Sequence, residues 1–129
     1  MPQITAFYAA ILTLLFVLLA TRVIRMRRAA RVSLGTGGDP ELEARMRAQG
    51  NCAEYAPLGL LLLLLAELLG SHGVLLHLLG AMLVAGRVLH ALALSAAPQR
   101  GNLRVAGMGL TLTMLGVGAL VVAGRALTV

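Results

Sequence analysis

The chain has no tryptophan, one cysteine, two tyrosines and two phenylalanines in 129 residues, and only 12% of its positions are charged. The single Cys52 excludes an internal disulfide, and nothing resembles a paired-cysteine metal site. Cys52 reads most simply as a small helix residue. So few aromatics leave little to stack on bases, although the net charge of +6 would otherwise invite a nucleic-acid partner. The arginines sit instead at the edges of apolar runs, where anionic lipid head groups are the simpler counterpart, and we read no nucleic-acid partner. There is no internal repeat and no second domain. The one linker-like piece, Ser33 to Gly38, reads as a flexible loop without the strand and helix a phosphate-binding loop requires.

What is abundant is aliphatic side chain: 59% of residues are hydrophobic and the mean hydropathy is +0.89. Uncharged stretches run from Met1 to Thr21, Leu68 to Gly86 and Val105 to Gly124, each close to the roughly 20 residues needed to cross hydrocarbon. A further span centres on Tyr55 to Ala66 and can start well before Asn51 if its polar face is shielded from lipid. The fold class is therefore all-α, an integral membrane four-helix bundle of antiparallel up-down topology. We expect one transmembrane domain over residues 1–129, with helices at about Ile4 to Arg25, Pro40 to Leu69, Val74 to Leu94 and Asn102 to Leu127. Asp39-Pro40-Glu41 is a start signal for the second: a capping carboxylate, proline at the first helical position and an acid in the first turn.

The first apolar run has no basic residue before it and an arginine cluster after it, the pattern of an anchor with its N-terminus outside. Arg22, Arg25, Arg27, Arg28, Arg31, Arg45 and Arg47 flank the first connection, Arg100 and Arg104 the third. The second, Gly70 to Gly73, carries no basic residue. The positive-inside rule then puts loops one and three in the cytoplasm and both termini outside.

Against this background the segment Arg45 to Pro57 stands out, because it brings strongly polar side chains to the helix that continues as Leu58 to Leu65. Ionisable groups at membrane depth persist mainly where they face protein interior, a water-filled cavity or a polar ligand. Arg47, Asn51 and Glu54 fall at i, i+4 and i+7 and so share one helix face. If the second and third helices form a hairpin around Ser71 and His72, Glu54 lies at the depth of Arg87 and His90, and Arg104 enters near the same boundary. Such a cluster suits a ligand with several carboxylates and one ammonium group. Two readings stand side by side: a ligand site, or a structural Glu54–Arg87 ion pair with Arg47 and Arg104 as snorkelling anchors. The second leaves the ordered spacing unexplained. A small bundle has little interior for these groups, so the stripe is expected at a subunit interface. Glu67 and His77 are expected to pair near the outer surface, His72 to be a turn residue, and Thr111 and Thr113 to bond back to their own helix. Tyr55 is either an interfacial ring or a ligand contact. Gly107, Gly109, Gly116, Gly118 and Ala119 on the fourth helix, with Gly80, Ala81 and Gly86 on the third, permit close helix contacts.

The segment Arg47-Ala-Gln49-Gly-Asn51-Cys52-Ala-Glu54-Tyr55-Ala-Pro57 resembles the second-helix motif of the MAPEG superfamily, the membrane-associated proteins of eicosanoid and glutathione metabolism. Within it the likeness is to the leukotriene-C-synthase branch. Arg87-Val-Leu-His90 and Asn102-Leu-Arg104-Val-Ala-Gly107-Met resemble third- and fourth-helix motifs of bacterial members, which implies a bacterial inner membrane. The resemblance implies a homotrimer that binds glutathione as co-substrate between subunits near the cytoplasmic face. Arg47, Asn51, Glu54 and Tyr55, with Arg87 and His90, would hold the tripeptide, Glu54 on the γ-glutamyl ammonium. Arg104 would be the catalytic group that stabilises the thiolate for attack on a lipophilic substrate from the bilayer. A basic residue at the end of the first helix also contacts glutathione in relatives; Arg25, Arg27 and Arg28 are candidates here. Enzymatic relatives carry tyrosines where this chain has His90 and Leu94. The implied function is a glutathione-dependent transferase or peroxidase. The alternative is a non-enzymatic lipid- or partner-binding protein of the same fold. A small multidrug exporter would need a carboxylate in the first helix, which has none.

Overall fold

A computed structural model of the chain describes residues 1–128; Val129, the last residue of the expected domain, lies outside them. Four helices follow in order, α1 Gln3–Ala30, α2 Pro40–Leu68, α3 Gly73–Ser95 and α4 Gly101–Ala126, with no strand among the described residues. All four are long and apolar enough to cross a membrane, and the chain is an integral membrane four-helix bundle. The helices α2 and α3 form the central pair, each packing against every other helix. α1 and α4 flank them on opposite sides and do not meet.

Helix ends follow local chemistry. Asp39 caps α2, its carboxylate accepting from the amides of Glu41 at 2.9 Å and Leu42 at 3.2 Å, with Pro40 at the first helical position. His72 is indeed the turn residue, capping α3 by accepting from the Val74 amide. α1 runs to Ala30, past the expected end at Arg25. Arg31 closes it at a φ of 54°, the left-handed position usually given to glycine.

The N-terminus of α1 has no side-chain cap of its own. Glu67, from the end of α2, supplies one: its carboxylate accepts from the amides of Ile4 at 2.9 Å and Thr5 at 2.7 Å and from the Thr5 hydroxyl at 2.7 Å. This corrects the expected Glu67–His77 pair. A carboxylate gains from orphan helix amides and from the positive end of the helix dipole at once. His77 takes Tyr8 instead, whose hydroxyl lies 3.2 Å from its Nδ1 and donates to its carbonyl at 3.0 Å.

Backbone-to-backbone helix contact occurs at one glycine pair. A Cβ on Gly107 would fall 2.7 Å from the Gly86 carbonyl, and one on Gly86 would fall 2.8 Å from the Gly107 carbonyl, so α3 and α4 meet backbone to backbone. Gly80 likewise receives the Tyr8 ring. Leu63, Leu83 and Met114, all fully buried, fill the space between.

Candidate functional site

The close approach at Gly86 and Gly107 sets the geometry of the site, because it brings Thr111, one turn along α4, against Arg87, the residue after Gly86. Arg87 is 1% exposed. Its Nε and Nη2 donate to the Thr111 hydroxyl at 3.0 and 2.6 Å, and Nη1 donates to the side-chain and main-chain oxygens of Asn51. The guanidinium carbon also lies 5.1 Å from the centre of the Tyr55 ring, within cation–π range. Every partner is neutral. The Glu54–Arg87 ion pair is not formed, and the only ion pair among the described residues is Arg45 with Glu41, one turn apart on α2. Thr111 does bond back to its own helix, donating to the Gly107 carbonyl at 3.0 Å, and this aims its lone pairs at Arg87.

Above this buried cation lies an open trough of about 890 Å³ between α2, α3 and α4. Its wall brings together Arg47, Asn51, Glu54, Tyr55, His90 and Arg104. Arg87 is the exception among the expected site residues. It lies beneath the floor, where its donors are consumed by Asn51 and Thr111, so it is not a direct ligand contact in this arrangement. Arg47, Glu54 and Arg104 are exposed and make no side-chain hydrogen bond or ion pair among the described residues. The Asn51 amide oxygen is taken by Arg87, which turns its NH2 group to the trough as a donor. Among the described residues the wall therefore offers two free guanidinium groups, the free carboxylates of Glu54 and Glu43, and an oriented amide. That set matches a zwitterion with more than one anionic group better than a metal, and no metal-binding cluster occurs among the described residues.

Leu94 also lines the trough, one turn beyond His90. Cys52 does not: it is 3% exposed and borders a separate apolar notch with Leu12 and Phe16, which excludes it as a trough nucleophile. The three arginines at the end of α1 do not line the trough. Arg27 donates to the carbonyls of Ser33 and Gly35 and to Met46 Sδ, and Arg25 and Arg28 have no side-chain hydrogen-bond partner among the described residues. Glu43, Gln99 and Met108 also line the wall, and none of them is among the residues expected from the sequence. Glu43 could have been found, since it stands four residues before Arg47 on the same stripe. Gln99 could not, because it comes from an irregular tract whose path no periodicity fixes.

The chain matches the model of the MAPEG family over residues 5–124. It is 37% identical over 88 residues to the inner membrane protein YecN of Escherichia coli K12, covering 68% of this chain and 67% of that protein. It is 56% identical over 54 residues to the leukotriene C4 synthase of Cavia porcellus, covering 38% of this chain and 36% of the relative. A family match across nearly the whole length, with every residue of the trough inside it, shows that the chain belongs to the MAPEG family.

Proposed function

We propose that the trough binds glutathione and presents its sulfur to lipophilic electrophiles or hydroperoxides arriving from the bilayer. The observation that carries this reading is the unpaired set of Arg47, Glu54 and Arg104 around the Asn51 amide. Glutathione has two carboxylates, one ammonium group and a thiol, and the set supplies the opposite charge for the ammonium, for one carboxylate and for the thiolate. Glu54 receives the γ-glutamyl ammonium, Arg47 a carboxylate, and Asn51 and Tyr55 the intervening polar groups. Arg87 acts beneath them as a positioning residue, fixing the Asn51 amide and the Tyr55 ring. His90 contributes a ring nitrogen from the opposite wall.

Arg104 stands at the mouth and serves the sulfur. A free thiol titrates near about 8.5, and an adjacent fixed cation favours the thiolate. In transfer, the thiolate lone pair forms a carbon–sulfur bond while the electrophile's leaving group departs with its electron pair, or an epoxide opens to an alkoxide that takes a proton. With a hydroperoxide, sulfur attacks the distal oxygen, the O–O bond breaks, the alkoxide is protonated, and a second glutathione converts the sulfenic acid to a disulfide with loss of water.

Free charges on an open wall are expensive against lipid, so a neighbouring copy is the expected cover, and a homotrimer would complete each site from two chains. An arginine at the end of the neighbour's α1 is then the remaining contact. Loops one and three lie in the cytoplasm in this arrangement, following the arginine asymmetry. A second reading is favoured by one observation: His90 and Leu94 line the wall where enzymatic relatives place tyrosines. A protein that binds without turnover would result.

The test is conjugation of a chlorodinitrobenzene-type electrophile by purified protein. Glutathione consumption above the uncatalysed rate, lost in Glu54→Ala, is expected. Glutathione binding with no consumption of any electrophile or hydroperoxide would establish the binding-protein reading instead.

A further inference from the structure

Arg87 is a charge that the fold does not balance. Each nitrogen of its guanidinium group is engaged: Nε and Nη2 on the Thr111 hydroxyl, Nη1 on the side-chain and main-chain oxygens of Asn51, and Nη2 also on Met108 Sδ at 4.0 Å. Hydrogen bonding is therefore complete while charge is not. Among the described residues no carboxylate pairs with Arg87, and the Tyr55 ring offers only the partial negative charge of its face. A buried cation without an anion is unfavourable, and its field attracts an anion into any opening that adjoins it. The trough adjoins it through Asn51.

The direction of every bond around this cation is forced. The Thr111 hydroxyl gives its proton to the Gly107 carbonyl at 3.0 Å, so toward Arg87 it can only accept. A guanidinium has donors alone, so Asn51 must turn its amide oxygen to Arg87 and its NH2 group away. Asn51 is 6% exposed, and its Nδ2 makes no bond among the described residues yet is not sealed from the surface, which puts those N–H groups at the trough floor. Linked hydrogen bonds polarise one another, most strongly away from water. An amide backed by a cation is therefore a stronger donor to an anion than the same amide alone.

We propose that Arg87, acting through Asn51, makes the trough floor select an ionised carboxylate, and that this carboxylate belongs to the γ-glutamyl head group. The inference rests on the glutathione reading above. Asn51 and Glu54 stand one turn apart on one helix face, about 5 to 6 Å between Cβ atoms, and the γ-glutamyl head carries its carboxylate and its ammonium on a single carbon. With the ammonium on Glu54, the carboxylate falls beside Asn51. Arg47 lies about 10 Å from Glu54 along the helix, close to the roughly 10 Å span of an extended tripeptide, so it meets the glycine end. Arg87 then supplies the opposite charge that Arg47 and Arg104 leave unmet. It is a positioning and specificity residue, since it touches the ligand only through Asn51.

Calorimetric titration of the detergent-solubilised full chain tests this with glutathione and two amides of it, one replacing the γ-glutamyl α-carboxylate and one replacing the glycine carboxylate. The parent should bind glutathione about tenfold more tightly than the head-group amide, the gap between a charge-assisted and a neutral hydrogen bond. Arg87→Gln keeps an amide donor beneath Asn51 without the charge. It should reduce that preference to about twofold or less while the glycine-end preference stays as in the parent. A merely structural Arg87 would instead weaken all three ligands by one factor and leave both preferences intact. Asn51→Asp neutralises Arg87 in place with a side chain of the same shape, and should invert the preference, so that the head-group amide binds more tightly than glutathione. Equal binding of glutathione and the head-group amide by the parent, an Arg87→Gln protein that keeps the full preference, or an Asn51→Asp protein that still favours the free acid would each overturn the relay and leave the glutathione reading standing. A parent that binds none of the three ligands would overturn both.

Discussion

Thr111→Val should lower the unfolding free energy by about 3 kcal/mol, because it takes the acceptor from two donors of a buried cation. Valine has nearly the shape of threonine, so no cavity opens and the loss is electrostatic. The Thr111 hydroxyl accepts from Arg87 Nε and Nη2, and among the described residues no carboxylate pairs with Arg87 to replace it. Unfolding in mixed detergent micelles gives the free-energy change. The companion variant is Arg87→Met with Thr111→Val, in which the charge leaves with its acceptor. That double change should recover much of the lost stability, since an apolar replacement of a buried polar cluster costs less than half of it left behind. A Thr111→Val protein as stable as the parent would mean that Asn51 and Tyr55 alone hold the guanidinium. The same variant should weaken glutathione binding, because Arg87, which orients the Asn51 amide, loses its own anchor.

Arg104→Ala should reduce turnover by about a hundredfold while leaving glutathione affinity nearly intact, if its guanidinium acts on the sulfur rather than on the tripeptide ends. The direction of the pH effect follows from charge. A cation beside the thiol lowers its titration point, so the parent holds thiolate at neutral pH. Removing the cation returns the thiol toward about 8.5, and the rising limb of the rate profile moves to higher pH. Single-turnover rates against pH measure both at once. Lost binding with unchanged turnover at saturation would make Arg104 a positioning residue for a carboxylate.

Residues whose partners lie on the same helix were legible in the sequence. The Asp39 cap, the Arg47, Asn51 and Glu54 stripe and the span lengths all follow from local spacing, and the trough places that stripe on one wall. Interhelical partners were less legible. Spacing pairs Glu67 with His77 because both are near one turn, yet the α1 terminus, distant in sequence, offers three donors. Arg87 was placed with the ligand contacts because depth was inferred and rotation was not. Depth comes from counting residues to the turn, whereas rotation about the helix axis is set by the Gly86 and Gly107 contact, which only the packed pair reveals. Thr111 became a partner of Arg87 for the same reason. The end of α1 was put too early because an arginine cluster reads as a boundary, whereas long side chains let the helix continue into the head-group layer.

The central claim is that Glu54 reads the γ-glutamyl ammonium in the trough, and calorimetric titration of the detergent-solubilised protein with two ligands tests it most directly. One ligand is glutathione and the other is its analogue with the α-amino group replaced by hydrogen. The parent should bind glutathione at least tenfold more tightly than the analogue, as expected for a charge-assisted hydrogen bond of about 1.5 kcal/mol or more. Glu54→Gln should bring the two affinities close together by weakening glutathione alone. A parent protein that binds both ligands equally, or a Glu54→Gln protein that keeps the full preference, would contradict the account.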